Sequence, residues 1–155
     1  MSANGKNVLI VLCGLPASGK STYAEMLAES GQFCRVCPDL IRKELYGDEN
    51  IQGNGKKVFE IAFNAIQRLG KQNFNAVFDA TNINADRRKK LVEEMRPYFD
   101  ILILKWFSTP MEKCVERNIH RERQVPLEVL VRMWDNFQEP TKEEGWDYIE
   151  EIKNY

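Results

Sequence analysis

Hydrophobic positions in this chain gather into a few continuous runs instead of alternating with polar ones. Val8 to Cys13, Phe74 to Phe78 and Ile101 to Phe107 are each apolar almost throughout, the pattern of strands covered on both faces of a parallel sheet. Phe33 to Cys37 is a shorter fourth run, and Tyr148 to Ile152 reads as an edge strand. Helical patterns alternate with these runs, which is the signature of repeated strand–helix–strand units. Lys56 to Leu69 is apolar nearly all round and predicts a deeply packed helix ending at Gly70. Asn84 to Met95 reads as a charged surface helix. Thr109-Pro110-Met111-Glu112 predicts a helix start, with Thr109 as N-cap, Pro110 in the first helical position and Glu112 closing a capping box. Val125-Pro126 opens another helix, with Leu127, Leu130, Val131, Trp134 and Phe137 along one stripe. Gly47 to Gly55 is the best candidate for a mobile loop. The expected architecture is one α/β domain over residues 1–155: a mostly parallel central sheet of four or five strands, with helices on both faces.

Composition narrows the function classes. The chain has 155 residues, enough for one core and too few for two. A net charge of −1 argues against a broad basic face for nucleic acid, though not against a short local one. No apolar run approaches the roughly 20 residues of a membrane span. The polar start, Met1 to Asn7, lacks a signal-peptide core. A cytoplasmic enzyme with no membrane partner is the expectation. Cys34 and Cys37 form a C-x-x-C without a second pair, and His120 is the single histidine. A zinc site would need distant ligands, so Cys13, Cys34, Cys37 and Cys114 are expected to be reduced structural thiols. His120 reads as a surface bystander.

Candidate chemistry begins at Gly14-Leu15-Pro16-Ala17-Ser18-Gly19-Lys20-Ser21, which fits the phosphate-binding P-loop G-x-x-x-x-G-K-[ST]. It follows the first apolar run and precedes a helical segment from Thr22. A strand, a glycine loop and a helix N-terminus in that order suit a bound triphosphate, because backbone N–H groups and the helix end face the anion. Lys20 would reach the β- and γ-phosphates, and the Ser21 hydroxyl would ligate Mg²⁺. A compact kinase fits the size, and no N-K-x-D occurs for a GTPase reading.

Three further segments hold suitable side chains where strands should end. Asp39 and Arg42 are three apart and would share a helix face. Asp39 would accept a proton from an attacking hydroxyl while Arg42 holds an acceptor phosphate or carboxylate; otherwise the two simply pair in solvent. Asp79 leaves a buried strand, where a carboxylate needs a cation or N–H donors. It would support Mg²⁺, pin the P-loop or cap a turn. Residues 117–126 carry a basic helix end into a proline-initiated helix. There Arg121 would swing onto the phosphates as part of a lid, unless the segment is only a solvated face.

The sequence also resembles the kinase domain of the polynucleotide 5′-hydroxyl kinases of phage and eukaryotic end repair. The resemblance rests on GLPASGKST at 14–22, PDLIRKEL at 38–45, FDATNINADRR at 78–88, VERN at 115–118, the arginine-rich stretch to Val125-Pro126, and FQEPTKEEGW at 137–146. It implies a P-loop NTPase kinase fold with a lid, ATP and Mg²⁺ as cofactors, and a 5′-hydroxyl end of DNA or RNA as the partner substrate. It further implies a nucleotide-binding set of Gly14, Pro16, Ala17, Ser18, Gly19, Lys20, Ser21 and Thr22, joined by Arg117 and Arg121. Catalysis would fall to Lys20, Asp39 as general base and Arg121. Asp39, Arg42, Asp79 and Asn82 would face the acceptor, with Arg123 a looser second lid contact. Here Cys37 and Pro38 precede Asp39, where the phage pattern has a polar, basic residue. A small-molecule kinase acting on a metabolite or nucleotide sugar is the rival reading, and an ATP-binding switch without transfer is a third. The transfer readings depend on Lys20 and Asp39 facing one cavity from neighbouring strand tips.

Overall fold

The continuous aliphatic runs become the interior of the sheet. A computed structural model describes residues 5–49 and 53–154. Its strands are β1 (Val8–Cys13), β2 (Cys34–Val36), β3 (Ala76–Phe78), β4 (Ile101–Phe107) and β5 (Tyr148–Ile152). They lie in the spatial order β2-β3-β1-β4-β5, and every pairing is parallel. β1 is central, in register with β4 from Val8 opposite Ile101 to Cys13 opposite Trp106. Leu9 to Cys13 are all buried, and this explains why the run shows no alternation.

Successive side chains of β1 nonetheless serve different faces. The helices are α1 (Lys20–Glu29), α2 (Pro38–Tyr46), α3 (Gly55–Lys71), α4 (Ala85–Met95), α5 (Met111–Ile119) and α6 (Leu127–Asp135). Leu9 and Val11 join Ala62 and Ile66 of α3 and Leu91 and Met95 of α4 in the larger core. Ile10 and Leu12 join Ala24 of α1 and Phe107 in a smaller one.

Several local expectations change. β3 begins at Ala76 because the preceding Asn75 closes the sheet end: its Oδ1 accepts from Val8 N at 2.9 Å and its carbonyl from Cys34 N at 3.0 Å. α3 does not stop at Gly70 but runs through it to Lys71. That glycine serves close packing, since a Cβ there would lie 2.7 Å from Tyr98 Cβ and 2.8 Å from Tyr98 O. Thr109 is not an N-cap and Glu112 closes no capping box. Pro110 is the cap of α5, without a side-chain hydrogen bond, because the Thr109 hydroxyl is used elsewhere. A capping box does form between Thr141 and Glu144, around a 3₁₀ turn at Lys142–Glu144.

The predicted stripe of α6 is also split. Leu130 is buried, whereas Leu127, Val131 and Trp134 are exposed, and Phe137 lies past the helix, stacked on Trp106. α4 is charged outside, as expected, but its Arg88 is buried. Of the expected loop at 47–55, residues 50–52 lie outside the described residues. On its far side the Asn54 side chain caps α3, accepting from Lys57 N at 3.1 Å. All four cysteines are free. Among the described residues no helix is long and apolar enough to cross a membrane.

Candidate active site

Parallel strands bring all their carboxyl ends to one edge of the sheet, and the residues following β1, β2, β3 and β5 meet there around a cavity of about 1060 Å³. β1 opens directly into the glycine loop. Ala17 at φ 66° and Gly19 at φ 106° adopt left-handed conformations, which turn successive N–H groups toward one point at the start of α1. Lys20 is 6% exposed. Its Nζ donates to Leu15 O at 2.7 Å and lies 3.4 Å from Ser18 Oγ. Burial pushes its ammonium below the usual lysine range, the Asp79 carboxylate opposes this, and Arg121 adds a smaller push downward. A cation in that state gains most from an anionic ligand. Ser21 and Thr22 are exposed in the cavity wall, with Pro16 and Ala17 beside them. Gly14 and Ser18 are buried beneath the loop and do not line it.

The loop is braced from behind. Thr109 Oγ1 lies 3.0 Å from Ser18 O and 2.9 Å from Asn154 Oδ1. Asn154 Nδ2 donates to Ser18 O at 3.1 Å, and Arg117 Nη2 to Asn154 O at 2.7 Å. A Cβ on Gly19 would strike the Asn154 amide.

Asp79 follows β3 and is 4% exposed. The cation it needs is Arg35 of β2, a residue that no motif or spacing singles out. Arg35 Nε and Nη2 donate to the same oxygen, Oδ2, at 3.0 and 2.6 Å. β3 lies between β1 and β2, so the tips carrying Lys20 and Asp39 are not adjacent and Asp79 stands between them. Lys20, Asp79 and Asp39 nonetheless line one cavity.

Asp39 and Arg42 share a face of α2 as their spacing requires. Arg42 Nη1 donates to Asp39 Oδ1 at 2.8 Å. Arg42 lines the cavity, and its Nε is buried with no hydrogen-bond partner among the described residues. The same holds for Arg121 Nη1. Two guanidinium nitrogens without acceptors, on residues that line the cavity, suit an anionic occupant. Arg123 reaches the other oxygen of Asp39, Nη1 to Oδ2 at 3.1 Å. Arg117, Arg121 and Arg123 all line the cavity, whereas His120 is exposed.

Asn82 has a different place from the one expected. It is not in the cavity wall; Thr81 is. Its Nδ2 donates to Leu12 O at 2.7 Å and its carbonyl accepts from Arg88 Nη1 at 2.8 Å. Arg88 is the centre of a buried network: Nε and Nη2 meet Glu144 Oε1 and Oε2 at 2.8 and 3.0 Å, and Nη2 also meets Gln138 O at 2.7 Å. Burial would raise the Glu144 carboxyl, but hydrogen bonds from Arg88 and Trp146 outweigh this and hold it below the ordinary range. Much of the segments at 78–88 and 137–146 thus supports the strand ends from beneath.

Among the described residues no group of three or more His, Cys, Asp or Glu stands where it would hold a metal on its own. The donor set does fit Mg²⁺, which takes one or two protein oxygens and fills its shell with substrate phosphates and water. Ser21 supplies a hydroxyl, and Asp79 keeps Oδ1 clear of both Arg35 contacts.

A family model described as an AAA domain (AAA_33) matches residues 9–140; the chain belongs to this family, and its fold is that of a P-loop kinase. It is 26% identical over 151 residues to the L-seryl-tRNA(Sec) kinase of Methanococcus maripaludis, covering 90% of this chain and 56% of that protein. It is 27% identical over 150 residues to the bifunctional polynucleotide phosphatase/kinase of Schizosaccharomyces pombe, covering 93% of this chain and 33% of that protein. The chain thus spans about half or less of the length of these relatives. A chain of the Pnkp1/Rnl/Hen1 RNA repair complex superposes with a TM-score of 0.75 at 22% identity, over 84% of this chain and 44% of that one.

Proposed function

We propose that this protein transfers the γ-phosphate of ATP to the 5′-hydroxyl end of a nucleic acid. The observation that carries the reading is the shared cavity: Lys20 of the phosphate loop and the Asp39–Arg42 pair line one space, with unpartnered guanidinium nitrogens of Arg121 and Arg42 around it. Lys20 and Arg121 hold the donor polyphosphate and offset the charge that builds on the transferring group. Asp39 accepts the proton of the attacking hydroxyl. Arg42, which lines the cavity, binds the phosphate on the 3′ side of that nucleotide through the part of its guanidinium that its bond to Asp39 leaves open. Ser21 and Asp79 would hold Mg²⁺, which would supply positive charge to the donor phosphates. The small net charge fits a grip on one or two phosphates and not on a long groove. The polynucleotide phosphatase/kinase relative supports this acceptor.

A second reading, phosphorylation of a hydroxyl on another acceptor, is supported by the seryl-tRNA kinase match. Radiolabel transfer from ATP to a 5′-hydroxyl oligonucleotide decides between them. We expect label on the 5′ end and its loss in D39N. In R42A the acceptor KM should rise at least tenfold more than the ATP KM, the range of a lost charge-assisted contact. Undiminished transfer by D39N would remove Asp39 from the role of base; label appearing only on seryl-tRNA or a metabolite would favour the second reading.

A further inference from the structure

Two arginines hold the two oxygens of Asp39, and they come from different parts of the molecule. Arg42 lies three residues along the same helix and grips Oδ1 at 2.8 Å. Arg123 belongs to the connection between α5 and α6, residues 120–126, and grips Oδ2 at 3.1 Å. The two pairing partners are 84 residues apart in sequence. The Asp39 side chain is 37% exposed, and the terminal torsion of an aspartate is broad and roughly two-fold. One contact leaves the carboxylate free to turn; contacts on both oxygens fix its plane and keep lone pairs available for a hydroxyl. The Arg123 contact therefore decides whether the carboxylate is set.

Arg121, two residues earlier, lies on the donor side. Its Nη1 is buried without an acceptor, and its charge is felt at the Lys20 ammonium. The connection carrying both arginines is closed at its base: Asn118 Nδ2 donates to Val125 O at 2.7 Å, and its Oδ1 accepts from Val125 N at 3.0 Å. Gln124 Nε2 adds a bond to Ile119 O at 2.8 Å. Both arginines thus sit on one loop closed by side-chain hydrogen bonds. Glu49 also pairs with Arg123, Oε2 to Nε at 3.7 Å.

We propose that Arg123 is a positioning residue that couples nucleotide binding to the orientation of Asp39: the loop that offers Arg121 to the donor polyphosphate also holds, through Arg123, the carboxylate that meets the acceptor hydroxyl. The coupling rests on the reading of function above. It gives the enzyme a way to favour transfer to the acceptor over transfer to water, because the base is set by the same loop that senses the donor.

The test is binding, measured by fluorescence anisotropy of a short 5′-hydroxyl oligonucleotide labelled at its 3′ end, with and without saturating β,γ-imido-ATP and Mg²⁺. Wild-type protein should bind the oligonucleotide about tenfold more tightly when the nucleotide is present, within the usual range of such couplings. R123A and R123Q should lose that gain, read as the ratio of each variant's own oligonucleotide affinities with and without the nucleotide. R123K should recover part of it, since an ammonium keeps the charge but not the planar fork. A gain retained in both R123A and R123Q, or absent in the wild type, overturns the coupling. Wild-type protein that neither binds nor phosphorylates the oligonucleotide brings down the reading of function itself, and that result is visible without any variant.

Discussion

Lys20 and Glu144 show opposite responses of an ionisable group to its surroundings. Burial weakens the proton hold of Lys20 and only partly gives way to Asp79, so the site is poised for an anion. K20A should cut kcat on the order of 10²–10³-fold, as when one preorganised donor to developing charge is removed; initial rates at saturating ATP measure this. Glu144 is held below its ordinary value of 4.5, because its bonds to Arg88 and Trp146 outweigh burial. The unfolded chain binds this proton at about the ordinary pKa, and the folded chain only at lower pH. The stabilisation is therefore complete above pH 4.5 and is lost as pH falls through the folded value. Urea titrations across acid pH should show that slope in the wild type and a flatter one in E144Q. R88A, which strands a buried carboxylate, should cost about 3–5 kcal/mol at neutral pH.

The strands were legible because their signal is contiguous. Leu9 to Cys13 is a run that suits a doubly covered strand and is buried throughout, Ile101 to Phe107 alternates buried with half-buried positions along most of its length, and the phosphate loop is a fixed spacing. Contacts between distant segments were not legible. Arg35 with Asp79 spans 44 positions, Arg88 with Glu144 spans 56 and Thr109 with Asn154 spans 45. Nothing near Arg35 or Thr109 in the chain announces the partner. The same blindness misplaced the end of α3, where Gly70 resembles a terminator but is a contact point. That distinction sets the sign of a substitution. G70A gains up to about 1 kcal/mol of helix propensity, yet its methyl would meet Tyr98 and Phe99 at 2.7–2.8 Å, an overpacking cost of about 1–3 kcal/mol. A lowered Tm in calorimetry is the expected outcome.

The molecule is organised so that late segments of the chain secure early ones. The segment ending at Trp146 packs under β1 through Glu144 and Arg88, and Asn154 props the phosphate loop through Ser18 O. T109V, which removes the hydroxyl between Ser18 O and Asn154 Oδ1, should weaken nucleotide binding about fivefold, the equivalent of about 1 kcal/mol. Oligonucleotide affinity should be unchanged in nucleotide-free titrations.

The parallel direction of β1 and β5 has a practical corollary for anyone handling the protein. Asn7 enters the sheet at the far edge from the cavity, whereas Asn154 leaves it at the rim. A purification handle fused ahead of the first strand hangs clear of the cavity, while one fused behind the last strand emerges at its doorway and crowds whatever enters.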